Sequence, residues 1–113
     1  MHEASLVQAL LDRIDAEARA RGATSVSRVR VALGEASGVE RELFEIAYRT
    51  FRERTICAAA ELEVIAVPVR WECPECGNAV LPGQLLRCAE CGRPARMTAG
   101  DELILERIEM EVA

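Results

Sequence analysis

The sequence predicts an α+β fold in which two helices pack on a small three-stranded sheet, with a compact lobe inserted before the last strand. Three observations lead there. Two segments repeat apolar residues at helical spacing, three alternate at the period of a strand, and a doubled cysteine motif interrupts the order between the last two strands. With 113 residues, half of them hydrophobic, the chain can build one domain with a modest core and a small insert.

Residues 3–21 are expected to form the first helix. Leu6, Val7, Leu10, Leu11, Ile14 and Ala18 share one stripe, Asp12, Arg13, Glu17 and Arg21 face outward, and Gly22 is the natural stop. A strand follows at about 26–33, with Ser27, Val29, Val31 and Leu33 on one face and Arg28 and Arg30 on the other. The run "GEASG" at 34–38 carries loop chemistry and leads into the next helix near Ser37 or Gly38. That helix covers roughly 40–54, where Leu43, Phe44, Ala47, Tyr48 and Phe51 repeat the spacing of the first.

The stretch "AELEVIAVPVRWE" at 60–72 reads as a long strand whose apolar residues change phase, from Leu62 and Val64 to Val67, Val69 and Trp71. A bulge or bend near Ile65–Pro68 would do this, because one extra residue flips every side chain beyond it. The final run "DELILERIEMEV" changes phase similarly, from Leu103 and Leu105 to Ile108, Met110 and Val112. Two such strands on either side of residues 73–91 predict a pair of ribbons that leave the main sheet, hold an insert and return. The expected division is an α/β lobe of residues 1–69 plus 101–113, and an inserted lobe of residues 70–100.

The insert contains "CPECG" at 73–77 and "CAECG" at 88–92. Two residues between cysteines let one tight turn aim both sulfurs at a common point. Two such turns facing each other place Cys73, Cys76, Cys88 and Cys91 on a tetrahedron. Gly77 and Gly92 stand where the chain must turn sharply with positive φ, so that backbone amides can point at the thiolates. Trp71 with Val80 or Leu85 would roof the site. Four soft thiolates with no open position favour a structural zinc, with rubredoxin-type iron as the rival, and make the insert zinc-ribbon-like. The metal would replace a core that so few residues cannot build. The fifth cysteine, Cys57, reads as a small buried apolar residue.

Charge narrows the partners. All 14 basic residues are arginine, against 19 acidic ones, for a net charge of −5. Such a surface repels nucleic acid and anionic lipid. The insert holds four arginines against three glutamates, without a basic stripe or a row of stacking aromatics. No signal-like or membrane-spanning run is present, so the expected location is the cytoplasm, where thiols stay reduced. No phosphate-cradling loop, Ser-His-Asp set or Cys–His pair suggests catalysis, and the expectation is that the protein is not an enzyme.

The single histidine, His2, follows Met1 directly. A free Met1 amine, the ionised His2 amide and the His2 imidazole can close two chelate rings on one ion. Nickel(II) tolerates planar nitrogen ligation of this kind, whereas zinc prefers tetrahedral sites. The positive end of the helix dipole opposes a cation there, and carboxylates would offset it. Glu3 is adjacent, and Glu40 becomes a neighbour if the two helices pack side by side. Taken alone, a histidine at position 2 is more simply a frayed polar terminus.

"MHE" at the start, "LGEASGVERELFEIAYRTFRERT" at 33–55, "AELEV" at 60–64 and the two C-x-E-C-G knuckles together resemble the hydrogenase nickel-incorporation family, HypA/HybF. The likeness runs over nearly the whole length with the same order of parts. It implies a metallochaperone that holds Ni2+ as transient cargo through Met1, His2 and Glu3 and keeps Zn2+ in the four cysteines. It further implies delivery to the large subunit of nickel–iron hydrogenase with a GTPase partner, and service to urease in some members. The chain departs from many relatives in having no histidine in the zinc lobe. The expected assembly is a monomer or weak homodimer. The alternative reading is a zinc-ribbon protein–protein adaptor that carries no cargo metal.

Overall fold

A computed structural model describes residues 3–81 and 83–113. Helix α1 (Glu3–Ala20) leads into strand β1 (Ala23–Gly34), then helix α2 (Arg41–Phe51), which tightens into a short 3-10 turn at Arg52–Arg54. Strand β2 (Glu61–Val67) and the short β3 (Arg70–Glu72) follow, then β4 (Arg96–Ala99) and β5 (Leu103–Val112). The main sheet has the order β2-β1-β5, with β1 parallel to β2 through the α2 crossover and antiparallel to β5. Strands β3 and β4 form a separate antiparallel ribbon that carries residues 73–95. No described helix is long and apolar enough to cross a membrane.

The core lies between the helices and one face of this sheet. Val7, Leu10, Leu11, Ile14 and Ala18 of α1 meet Val26, Val29, Val31 and Leu33 of β1, and Phe44 and Tyr48 come in from α2. The other face is charged: Arg30 pairs with Glu63 at 2.8 Å, and Arg28 lies between Glu61 at 3.6 Å and Glu109 at 3.9 Å. Cys57 is completely buried, as expected of a small apolar residue.

Four expectations need correction. Ser27 is exposed and Val26 takes its place in the core, because the β1–β5 ladder slips there: Val26 faces Met110 and Arg28 faces Glu109, leaving Ser27 as the extra residue of a bulge. Leu43 is exposed because it stands about 100° around α2 from the core-facing Phe44, and Phe51, on the core side but at the last residue of the helix, is 38% exposed. The phase change of the last strand sits inside β5, where Arg30 faces Arg107 and Val31 faces Leu105, so Glu106 is the bulged residue. It does not mark the departure of the ribbon. In the other strand the expected break falls at Pro68–Val69, between β2 and β3, where proline cannot donate to a ladder.

The ribbon joins the main sheet through a backbone clamp. The Gly34 amide donates to the Glu102 carbonyl at 2.8 Å, Glu35 to Val67 at 2.9 Å and Ala36 to Gly100 at 2.6 Å. Gly100 has φ +103°, and a Cβ there would lie 2.6 Å from the Val69 Cα. A Cβ at Gly34 would overlap the Gly100 carbonyl. The two glycines permit the close approach.

Candidate metal centres

The insert realises its internal repeat as two matching turns. In the first, the Cys73 amide donates to the Asn78 carbonyl and the Gly77 amide to the Cys73 carbonyl, both at 2.9 Å. In the second, Cys88 donates to Arg93 and Gly92 to Cys88, again both at 2.9 Å. Gly77 and Gly92 share φ +72°, the left-handed conformation each turn demands. The first cysteine of each turn is buried and the second exposed.

All four sulfurs lie within 4.8 Å of one another, and Cys73 Sγ is 3.5 Å from Cys91 Sγ. Four sulfurs at about 2.3 Å from one ion would stand about 3.8 Å apart, so the cluster fits a tetrahedral thiolate site of the kind zinc favours. The Cys76 amide approaches Cys73 Sγ at 3.4 Å. This contact pulls the Cys73 thiol down to about 7. Sulfur–sulfur hydrogen bonds, first that with Cys91, push Cys76 up to about 12. A first thiolate therefore forms near neutrality at Cys73, while Cys76 holds its proton until a cation competes for it. Among the described residues no other group of three or more histidine, cysteine or carboxylate side chains converges in this way.

Val80 is buried and its amide donates to the Trp71 carbonyl at 2.8 Å. Trp71 itself is half-buried. Leu85 does not roof the site, being 87% exposed, because the loop between the turns swings it outward with φ +50°. Burial pushes the Cys57 thiol up, and this cysteine takes no part in the cluster.

The second candidate centre is the shared start of the two helices. Met1 and His2 lie outside the described residues. Glu3 opens α1, and its Oε2 accepts a hydrogen bond from the Glu40 amide at 3.0 Å. Glu40 is the N-cap residue of α2, with an extended backbone and no capping bond from its own side chain. Its carbonyl accepts from the Phe44 amide at 2.9 Å, which starts the helix. Two acidic residues 37 positions apart in the chain are thus brought together at one corner. The tie runs through the Glu40 backbone, a contact that no pattern of residue types discloses. Sequence reasoning also missed the facing Gly34 and Gly100. Their only signal was Gly100 at the end of the predicted insert and Gly34 at the start of the predicted loop of residues 34–38.

Comparison with known proteins agrees with this arrangement. Residues 1–110 match the family model described as hydrogenase/urease nickel incorporation, metallochaperone, hypA. The hydrogenase maturation factor HypA of Wolinella succinogenes is 39% identical, over 98% of this chain and 96% of that protein. The Aquifex aeolicus factor of the same name is 38% identical, over 99% of each chain. The solution structure of the Ni metallochaperone HypA from Helicobacter pylori superposes with a TM-score of 0.76 at 32% identity, covering 100% of both chains. With the doubled cysteine turn, the paired helix starts and a family match spanning nearly every residue, the chain belongs to the HypA family of hydrogenase/urease nickel-incorporation metallochaperones.

Proposed function

We propose that this protein is a nickel metallochaperone that binds Ni(II) at its N-terminus and surrenders it for maturation of nickel–iron hydrogenase, with urease as a further client. The Met1 amine, the His2 amide and imidazole, and a carboxylate from Glu3 or Glu40 form the donor set. The observation that carries this reading is the 3.0 Å hydrogen bond from the Glu40 backbone amide to the Glu3 carboxylate, which holds one negative charge where two helix starts would otherwise repel a cation. A donor set of few ligands favours release by ligand exchange. A GTPase of the insertion pathway and the hydrogenase large subunit are the partners to which the cargo passes.

Cys73, Cys76, Cys88 and Cys91 hold zinc in a structural role. The closed thiolate set supplies a cross-link in place of a core and leaves no position for a substrate. This division of labour makes the protein a carrier and not a catalyst. In untagged protein, His2→Ala should abolish nickel binding by calorimetry while one zinc per chain and the fold persist. Nickel uptake unchanged in that variant refutes the assignment. Wild-type protein that retains only zinc after equilibration with nickel would instead be an adaptor.

A further inference from the structure

The two margins of the main sheet are built differently. At one, the bulge at Glu106 interrupts β5, a common way of blunting an edge against further pairing. At the other, β2 runs beside β1 from Arg28–Glu61 to Gly34–Val67 without a slip, and it contains neither proline nor lysine. The Val67 carbonyl accepts the Glu35 amide at 2.9 Å, on the side where the chain continues β1. The Ala60 carbonyl, in the opposite phase, accepts the Tyr48 hydroxyl at 2.9 Å and Arg52 at 2.8 Å. Alternation therefore turns the amides and carbonyls of Leu62, Val64 and Ala66 outward, and no described strand pairs with them.

Two cavities lie between this edge and α2, in step with the strand. The first, of about 270 Å³, is lined by Tyr48, Arg49, Arg52 and Leu62, with Glu45 and Glu61. The second, of about 200 Å³, is lined chiefly by Leu33, Val39, Val64 and Ala66, with Glu35 and Arg41. Leu62, Val64 and Ala66 are alternate residues, about 7 Å apart along the strand, and their side chains share one face. An added strand would send its own alternate side chains to that face, one opposite Leu62 and the next two opposite Val64 and Ala66. The cavities differ in what they accept. At the first, Glu45 is paired with Arg41 at 3.2 Å and Glu61 with Arg28 at 3.6 Å. Arg49 and Arg52 have no ion-pair partner among the described residues, which leaves positive charge for a carboxylate. The second cavity suits aliphatic groups.

We propose that the outer edge of β2 is a peptide-binding site, to which an extended segment of a partner protein adds as a fourth strand. Its acidic side chain lies beside Arg49 and Arg52, and its aliphatic side chains lie beside Val39 and Val64. The open row ends at the occupied Ala60 carbonyl and before Pro68, so about five residues engage and binding is weak and transient. None of the lining residues is a zinc ligand or a proposed nickel donor, so the site stands apart from both centres.

The probe is the peptide acetyl-Thr-Val-Thr-Val-Thr-Glu-Thr-amide, whose order matches antiparallel addition, the more stable pairing. Titrated into isotope-labelled, zinc-loaded full-length protein, it should move the amide resonances of Leu62, Val64 and Ala66 and slow their hydrogen exchange. Methylating its two valine amides should abolish binding, because those groups face β2. Arg49→Glu should weaken binding about tenfold, since an exposed attraction becomes a repulsion, and should shift preference to a peptide with arginine in place of the glutamate. Ala66→Pro deletes one outward amide while leaving the β1 ladder intact, and should weaken binding about fivefold. Circular dichroism and zinc content confirm that the variants are folded. A probe that fails to bind at millimolar concentration, or that shifts resonances only elsewhere, overturns the proposal. So does a methylated peptide that binds equally well, or an Arg49→Glu protein with an unchanged preference.

Discussion

Gly100→Ala should cost the protein far more than Gly38→Ala, although both glycines sit at positive φ. Gly38 has φ +79° with nothing within 4 Å of an added Cβ. Alanine there bears only the left-handed backbone penalty, about 1–2 kcal/mol. Gly100 has φ +103°, and its Cβ would stand 2.6 Å from Val69 Cα, 2.9 Å from Val69 N and 3.0 Å from the Pro68 carbonyl oxygen. All three are backbone atoms, so no side chain can rotate away. A strained conformation costs about 1–3 kcal/mol and overpacking about as much again, for a total of about 2–6 kcal/mol. The difference between the variants, about 1–3 kcal/mol, isolates the contact that clamps the ribbon to the sheet. Urea denaturation of the zinc-loaded proteins, with zinc counted per chain, measures it. Equal destabilisation of the two variants, within about 0.5 kcal/mol, would refute the clamp as a source of stability.

Glu3→Ala should cost about 1 kcal/mol by removing an acceptor for the Glu40 amide, whereas Glu3→Gln retains a side-chain oxygen and stays near wild-type stability; equal losses in thermal denaturation would show that the hydrogen bond contributes nothing. Tyr48→Phe should cost about 0.5–1.5 kcal/mol, at the low end because Arg52 still donates to the Ala60 carbonyl that the phenol serves. Burial raises the pKa values of both Tyr48 and Cys57, so the folded state keeps protons that the unfolded chain has already lost. Their contribution to stability is complete below about pH 8.5 and is lost as pH rises; Cys57→Ala should delay the decline in urea midpoint toward about pH 10, and an unmoved onset contradicts the burial argument. Chelating the metal should erase hydrogen-exchange protection in residues 70–100 and leave the β1 ladder protected; simultaneous loss of both would mean that the two lobes unfold as one unit.

The local rules of the chain carried most of the fold. Helix α1 was legible because its apolar residues recur at 3.6-residue spacing and Gly22 stops it with φ +68°. The cysteine turns were legible because two residues between ligands leave a tight turn few alternatives, and Gly77 and Gly92 adopt the expected conformation. Bulges escaped. Ser27 and Glu106 are extra residues only relative to their partner strand, so neither segment contains the information alone. Leu43 escaped for a related reason: its spacing places it on an apolar face of α2, but whether that face meets the sheet depends on how α2 lies across it.

The order of elements, the four-sulfur cluster and the residue types available for a cargo ion are thus written in the chain's local spacing. These depend on spacing along the chain, over distances that a turn or a helix repeat sets rigidly. Folding of the whole chain brings Glu3 to the Glu40 amide, sets Gly34 against Gly100 and leaves Leu43 and Ile46 in solvent. Each of these is a meeting, or a missed meeting, between segments far apart in sequence. Such contacts are set by the packing of whole elements on one core, which no local spacing rule contains.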